Sequence, residues 1–385
     1  MANVGLRTVL ALILGGAVWS AAAQLGVNYN GVFSQINGPD LERTGATLVR
    51  GFVDYHQARA AKKNLAADPA FQGFAGLRTQ GKQTILNLKF DFEGRNLPVG
   101  ASAIRRELAF LDKLLPAVYP AADILVCGNE PFIESKIDQR DGRLVAFYEA
   151  VALRVKAFRD AQSRKVPLYI GAFNNLWKPS WQSSAASALL AFAQSSSWLA
   201  GIDLHIHHVE YSDIDGAFEY VSPRLRPNQK IIVTEFSLKN EWKLHLRDPI
   251  PEVLTRDYRR PASWEVYQYL NAVIHRPASR AEWVAFLQRS PWFESRKDYL
   301  TIAWRKFSGY DRFLAATYGM YQNAPKTFTP KTDPWIINPL FVNQTVVPDP
   351  VTGRPQANYV FLEEFRAILR SHRATNPRRS EEGPS

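Results

Sequence analysis

Lys230-Ile231-Ile232-Val233-Thr234-Glu235-Phe236 is a short apolar run, rich in β-branched residues, that stops at a carboxylate. The same pattern occurs earlier, where Ile124-Leu125-Val126-Cys127 leads into Gly128-Asn129-Glu130-Pro131-Phe132. A run that is apolar at successive positions, rather than at alternate ones, suits a parallel strand buried on both faces. The C-terminal ends of such strands are where α/β barrels and open α/β sheets carry their chemistry. Glu130 and Glu235 are therefore the candidate functional pair. Two carboxylates on different strands, facing one cleft, are the equipment for cleaving a glycosidic bond.

Outward from these segments the chain keeps one rhythm. Further strand-like runs fall at 25–29, 47–53, 83–90, 167–172, 202–207 and 313–318. Amphipathic helical stretches at 103–115, 144–161, 185–194 and 261–274 lie among them. Eight strands alternating with helices predict a parallel sheet closed as a single (β/α)8 TIM barrel. The alternative, a doubly wound open sheet, carries a glycine-rich first turn for phosphate, and Gly26-Val27-Asn28-Tyr29-Asn30-Gly31 lacks that spacing. A last helix at 360–371 is expected to pack behind the first and final strands. The connection from the seventh strand to the eighth is enlarged and holds Trp242, Trp264, Trp283, Trp292 and Trp304. Long connections in compact domains tend to be structured and functional. This one is expected to wall the cleft and stack sugar rings on its indoles, with Trp242 placed at the substrate.

Composition narrows the setting. Arg7, the apolar stretch 9–19 and Ser20-Ala21-Ala22-Ala23 read as an export signal over residues 1–23, which implies a secreted, periplasmic or cell-envelope protein. The apolar run is short for a stable membrane span, and no later stretch is longer; an uncleaved anchor is the alternative. The barrel is expected over 24–371, followed by a polar, disordered tail over 372–385. One cysteine, Cys127, excludes an intrachain disulfide, so stability rests on a conventional core. The net charge of +11 keeps an anionic glycan among the candidate substrates. The basic residues are dispersed and match no nucleic-acid motif, so no nucleic-acid partner is expected.

With both glutamates at strand ends, the motifs resemble the superfamily of retaining (β/α)8 glycoside hydrolases. Asn129-Glu130-Pro131 follows the fourth strand and Thr234-Glu235-Phe236 ends the seventh, the places where that superfamily keeps its acid/base and its nucleophile. The resemblance implies that Glu130 donates the proton and Glu235 attacks the anomeric carbon. It also implies that Asn129 bonds the sugar 2-hydroxyl and that Arg50, ending the second strand, holds the nucleophile. Glu130 is expected to be raised by burial and by neighbouring negative charge, and Glu235 to stay ionised. At the sixth strand the resemblance points to His208 followed by Tyr211, with His207 as the rival histidine. Tyr318 stands where the superfamily often has an aromatic platform, and Tyr321 is the alternative.

Other residues have the location without a motif. Asn28 and Tyr29 end the first strand, Lys89 and Asp91 the third, and Asn174 and Asn175 the fifth. Each fits a sugar contact at the top of a barrel or an ordinary turn. Glu93, Glu134 and Glu210 compete with the main pair, Glu134 being assigned to a loop. His205, His207 and His208 invite a zinc reading, but strand alternation divides them between two faces and no metal-ligand spacing is present, so no metal or other cofactor is expected. The residues thus predict an exported retaining hydrolase of a poly- or oligosaccharide. A transglycosidase on cell-surface glycan and a non-catalytic carbohydrate-binding barrel are the alternatives.

Overall fold

A computed structural model describes residues 23–375; residues 1–22, nearly all of the expected export signal (1–23), and residues 376–385 of the expected tail lie outside them. Eight parallel strands close into a barrel in sequence order. They are β1 (Gln24–Asn28), β2 (Leu48–Asp54), β3 (Gln83–Lys89), β4 (Ile124–Cys127), β5 (Leu168–Asn174), β6 (Leu199–His207), β7 (Lys230–Ser237) and β8 (Phe313–Gly319). β8 returns to pair with β1, from Gln24 opposite Ala315 to Asn28 opposite Gly319. The fold is the (β/α)8 barrel that the sequence predicts.

Strand alternation explains why these runs are apolar throughout. On β2, β3, β4 and β7 one set of side chains, Leu48, Ile85, Ile124, Val126 and Ile232, fills the barrel interior with Tyr169 and Ala315. The other set, including Val49, Leu86, Leu88, Leu125, Cys127, Ile231 and Val233, packs outward under the helices. Each buried aliphatic side chain contributes about 1.5–3 kcal/mol, so both faces reward apolar residues. Further along the same strands the interior turns polar, with Asn28, Arg50, Asn87, Asp203, His205, Thr234 and Thr317 all buried. This polar layer is the floor of the site.

β7 departs from the expected ending. The strand continues through Glu235 to Ser237, and its register with β6 shifts: Leu204 pairs with Val233, but His205 pairs with Glu235. Thr234 is the extra residue. A bulge lets two consecutive side chains serve one face, which strict alternation forbids. Thr234 Oγ1 donates to Asp203 in the interior, while Glu235 reaches Arg50 in the same interior.

The enlarged connection after β7 folds into helices Lys239–Leu244, Glu252–Tyr258, Val266–His275, Arg280–Gln288 and Pro291–Glu294 before the barrel helix Tyr299–Ser308. The last helix, Phe361–Thr375, packs on Tyr299–Ser308 and on Gly38–Thr44, which places it behind the closing strands. It extends into the stretch expected to be tail. No helix among the described residues is long and apolar enough to cross a membrane.

Candidate active site

Arg50 is the centre of the polar floor. It is fully buried on β2 and its guanidinium is shared among four strand ends. Nε donates to Asn87 Oδ1 at 3.0 Å, Nη1 to Asn28 Oδ1 at 3.1 Å and to Glu235 Oε1 at 2.6 Å, and Nη2 to Asn129 Oδ1 at 2.6 Å. A rigid fork of donors suits this many acceptors, and a lysine would not supply it. Asn28 therefore acts beneath the cleft, as an acceptor for Arg50, rather than at a ligand.

Glu130 follows β4 in a strained turn. Its φ is +40° and that of Gly128 is +137°, both in the left-handed region. A Cβ on Gly128 would lie 2.1 Å from the Gly171 carbonyl oxygen, so only glycine admits this path. The turn brings Glu130 Oε1 to Asn174 Nδ2 at 2.6 Å and to His205 Nδ1 at 3.0 Å. One oxygen of Glu130 and one of Glu235 lie within 4.8 Å of each other, together with nitrogens of His205 and His207.

The two carboxylates are held differently. Burial alone would raise Glu235, but the charges of His205 and Arg50 outweigh it and hold the group well below the usual carboxylate range. Burial likewise opposes the charge on Glu130, yet the bond to His205 keeps this group lowered too, where the sequence led us to expect a raised acid. The counterpart is His205 itself. Burial disfavours its cation, and the charges of Glu235 and Glu130 overcome that and raise it. The neighbouring positive charge, unseen in a sequence reading that counted only burial and like charge, reverses the sign.

Alternation on β6 puts His205 and His207 inside and His208 outside. His207 Nδ1 meets Ser237 Oγ at 2.8 Å, and its Nε2 lies 3.6 Å from Glu235 Oε2 with no hydrogen-bond partner. The expected pairing of His208 with Tyr211 at the nucleophile is not formed. His208 bonds the Glu210 carbonyl and packs on Tyr211 and Tyr299 behind the sheet. Arg296 sits over the Tyr211 ring on that same outer side.

The aromatic expectations are corrected as well. Tyr318 points outward from β8, donates to the Asn338 carbonyl and packs on Phe236 and Phe361, so it is core. Trp242 is fully buried, stacks on Phe293 and donates to Asn338. None of the five tryptophans of the long connection lines the cleft, because the helices there need their own core. The cleft indole is Trp335, from the segment after β8, with its ring edge-on to His207 at 4.8 Å. Tyr321 does line the cleft, together with Tyr29, Asn30, Phe52, Lys89 and Gln322, in a space of about 380 Å³.

Among the rival carboxylates, Glu210 is largely exposed and paired with Arg296, and Glu93 is exposed. Glu134 is on the loop after β4 but buried against Asn129. His205 and Asn174 sit against the Glu130 carboxylate and received little weight from the sequence. The inward phase of Asp203, His205 and His207 was the signal for the first; its place at the end of the fifth strand was the signal for the second.

Solved structures share this architecture. The chain is similar to the Ignisphaera aggregans GH53 catalytic domain, at 13% identity and a TM-score of 0.54, covering 94% of this chain and 99% of that one. It is similar also to a mutant hyperthermophilic β-glucosidase, at 8% identity and a TM-score of 0.51, covering 90% of this chain and 100% of that one. The shared feature is the (β/α)8 barrel. No family model and no curated protein matches the sequence.

The four donors Glu130, His205, His207 and Glu235 are close enough to face one metal ion. Their bonding is against it. Both nitrogens of His205 are engaged, by Glu130 and by Thr234, and the fixed Arg50 cation already occupies Glu235. A dication would enter beside a buried guanidinium. The arrangement suits the exchange of protons better than the binding of a metal ion.

Proposed function

We propose that the chain is a retaining glycoside hydrolase acting on a poly- or oligosaccharide. One observation carries the reading: Glu130 and Glu235 face one cleft with oxygens within 4.8 Å. Carboxyl groups separated by about 5–5.5 Å serve double displacement, whereas inverting enzymes keep them roughly 6.5–9.5 Å apart to admit a water. The expected export signal, which lies outside the described residues except for Ala23, adds the proposal that the protein acts beyond the cytoplasm.

Glu235, ionised and oriented by Arg50, attacks the anomeric carbon as the bond to the leaving oxygen breaks. Glu130 delivers a proton to that oxygen, drawn from the pair it forms with His205 at 3.0 Å. Water then attacks the glycosyl–Glu235 ester, gives its proton to Glu130 and frees Glu235. The Asn129 amide, fixed by Arg50, meets the 2-hydroxyl, and Trp335 offers a face to the ring.

The test is a panel of neutral and anionic polysaccharides, with released reducing ends measured for the wild type and for Glu235→Gln. Release that disappears in the variant supports the reading and names the substrate class. Glycan binding without release in either protein would move the assignment to a binding barrel, and transfer to an added sugar acceptor to a transglycosidase.

A further inference from the structure

The turn that carries Glu130 holds a third carboxylate that the mechanism above does not use. Glu134 is only 3% exposed, and its backbone N–H donates to the Glu130 carbonyl at 2.9 Å. Its Oε1 accepts from Asn129 Nδ2 at 2.7 Å and pairs with Lys89 Nζ at 2.9 Å. Since Arg50 holds Asn129 Oδ1, the amide is clamped at both ends: oxygen to the guanidinium, nitrogen to the carboxylate. Lys89, from the end of β3, reaches the pair across the cleft wall and lies over the Phe52 ring.

The charge state of the pair follows from its contacts. Burial disfavours the Lys89 cation, but the charge of Glu134 outweighs this and raises the lysine. Burial pushes Glu134 well above the usual carboxylate range, and Lys89 offsets this only in part. The directions conflict, and the hydrogen bonds decide between them. Oε1 receives two donors, one of them the Lys89 ammonium, which are the contacts of a carboxylate, while Oε2 has no partner among the described residues in either form. The ion pair is the form that fits. The charged groups facing Glu130 are then His205 and His207 from β6, Glu235 from β7, Lys89 from β3 and Glu134 from its own turn, with Arg50 of β2 behind Asn129.

We propose that the Lys89–Glu134 ion pair is a positioning device for the proton donor: Glu134 holds the Asn129 amide, and the cancelled charges of the pair leave the proton of Glu130 to His205 and Glu235. The inference rests on the hydrolase reading for its purpose but not for its test. Glu134→Gln keeps an oxygen for Asn129 and strands the Lys89 cation, so Glu130 is expected to lose its proton at a pH about one unit lower. Lys89→Met strands the carboxylate and is expected to move Glu130 the other way. The double variant, a neutral pair, is expected to return close to the wild type.

The proton is read by carboxyl NMR over pH on protein labelled with ¹³C-glutamate, with Glu130→Gln to assign the resonance. Opposite shifts in the single variants, cancelled in the double, establish the charge balance. An unmoved Glu130, or shifts in the same direction, would overturn it, and Lys89→Met alone decides the matter if Glu134→Gln does not fold. Glu134→Ala, which also frees the Asn129 amide, is expected to lower kcat more than tenfold with a smaller change in KM. Opposite shifts in a protein that cleaves no glycan would sink the hydrolase reading and leave the pair standing. Turnover without the shifts would do the reverse.

Discussion

In the proposed mechanism Glu130 and Glu235 meet different atoms of the scissile bond, so experiment can separate them. With an aryl glycoside whose nitrophenolate leaves without a proton, Glu130→Gln is expected to keep the first step, seen as a burst, while Glu235→Gln loses it. Both are expected to lose natural-glycan turnover by at least about 10³-fold. Arg50→Lys removes the fork that holds Glu235, so the carboxylate is less stabilised and the acidic limb of the pH–rate profile is expected to move to higher pH. A limb that stays in place would contradict the role given to Arg50. At this scale the sequence was legible where a charged residue stood alone at a strand end, as Arg50, Glu130 and Glu235 do. It misled at His208 and Tyr211, because a motif offset was preferred over the inward phase shared by His205 and His207. It also placed the platform on Tyr318 and the sugar wall on Trp242, since burial of an aromatic inside an insert's own core leaves no local mark. Trp335 had no strand next to it to announce it.

At the scale of elements, all eight strands were readable because burial on both faces writes a continuous apolar run. The β6–β7 bulge was not, since Thr234 and Glu235 look like ordinary neighbours until the register with Leu204 and His205 is known. The turn after β4 was half legible: Gly128 is visible, but its need for glycine comes from Gly171 on the next strand. Gly128→Ala puts a methyl 2.1 Å from that carbonyl oxygen at a φ of +137°, and neither backbone can yield cheaply. Its expected cost is about 3 kcal/mol or more in chemical denaturation, with Glu130 displaced and activity lost beyond the loss in folded protein. A variant of unchanged stability would show that the turn is not held as described.

For the whole molecule, acid stability follows from groups the barrel buries. His208 is fully enclosed, and burial lowers it from 6.5 to about 3. The folded protein keeps this histidine neutral while the unfolded chain takes up a proton below 6.5. Its contribution is therefore complete above that pH and is lost as the pH falls towards 3, amounting to on the order of 5 kcal/mol. Urea unfolding of His208→Gln is expected to show a flatter fall in stability over this range; an unchanged slope would contradict the assignment. The same barrel that buries His208 aims Glu130 and Glu235 into one cleft, where Glu235 is proposed as the nucleophile. The most direct test is mass spectrometry of the protein after incubation with a set of 2-deoxy-2-fluoroglycosyl fluorides, which trap a glycosyl ester. The expected result is a single glycosyl adduct on the peptide containing Glu235, absent in Glu235→Gln. An adduct on another residue, or one that persists in Glu235→Gln, would contradict the claim.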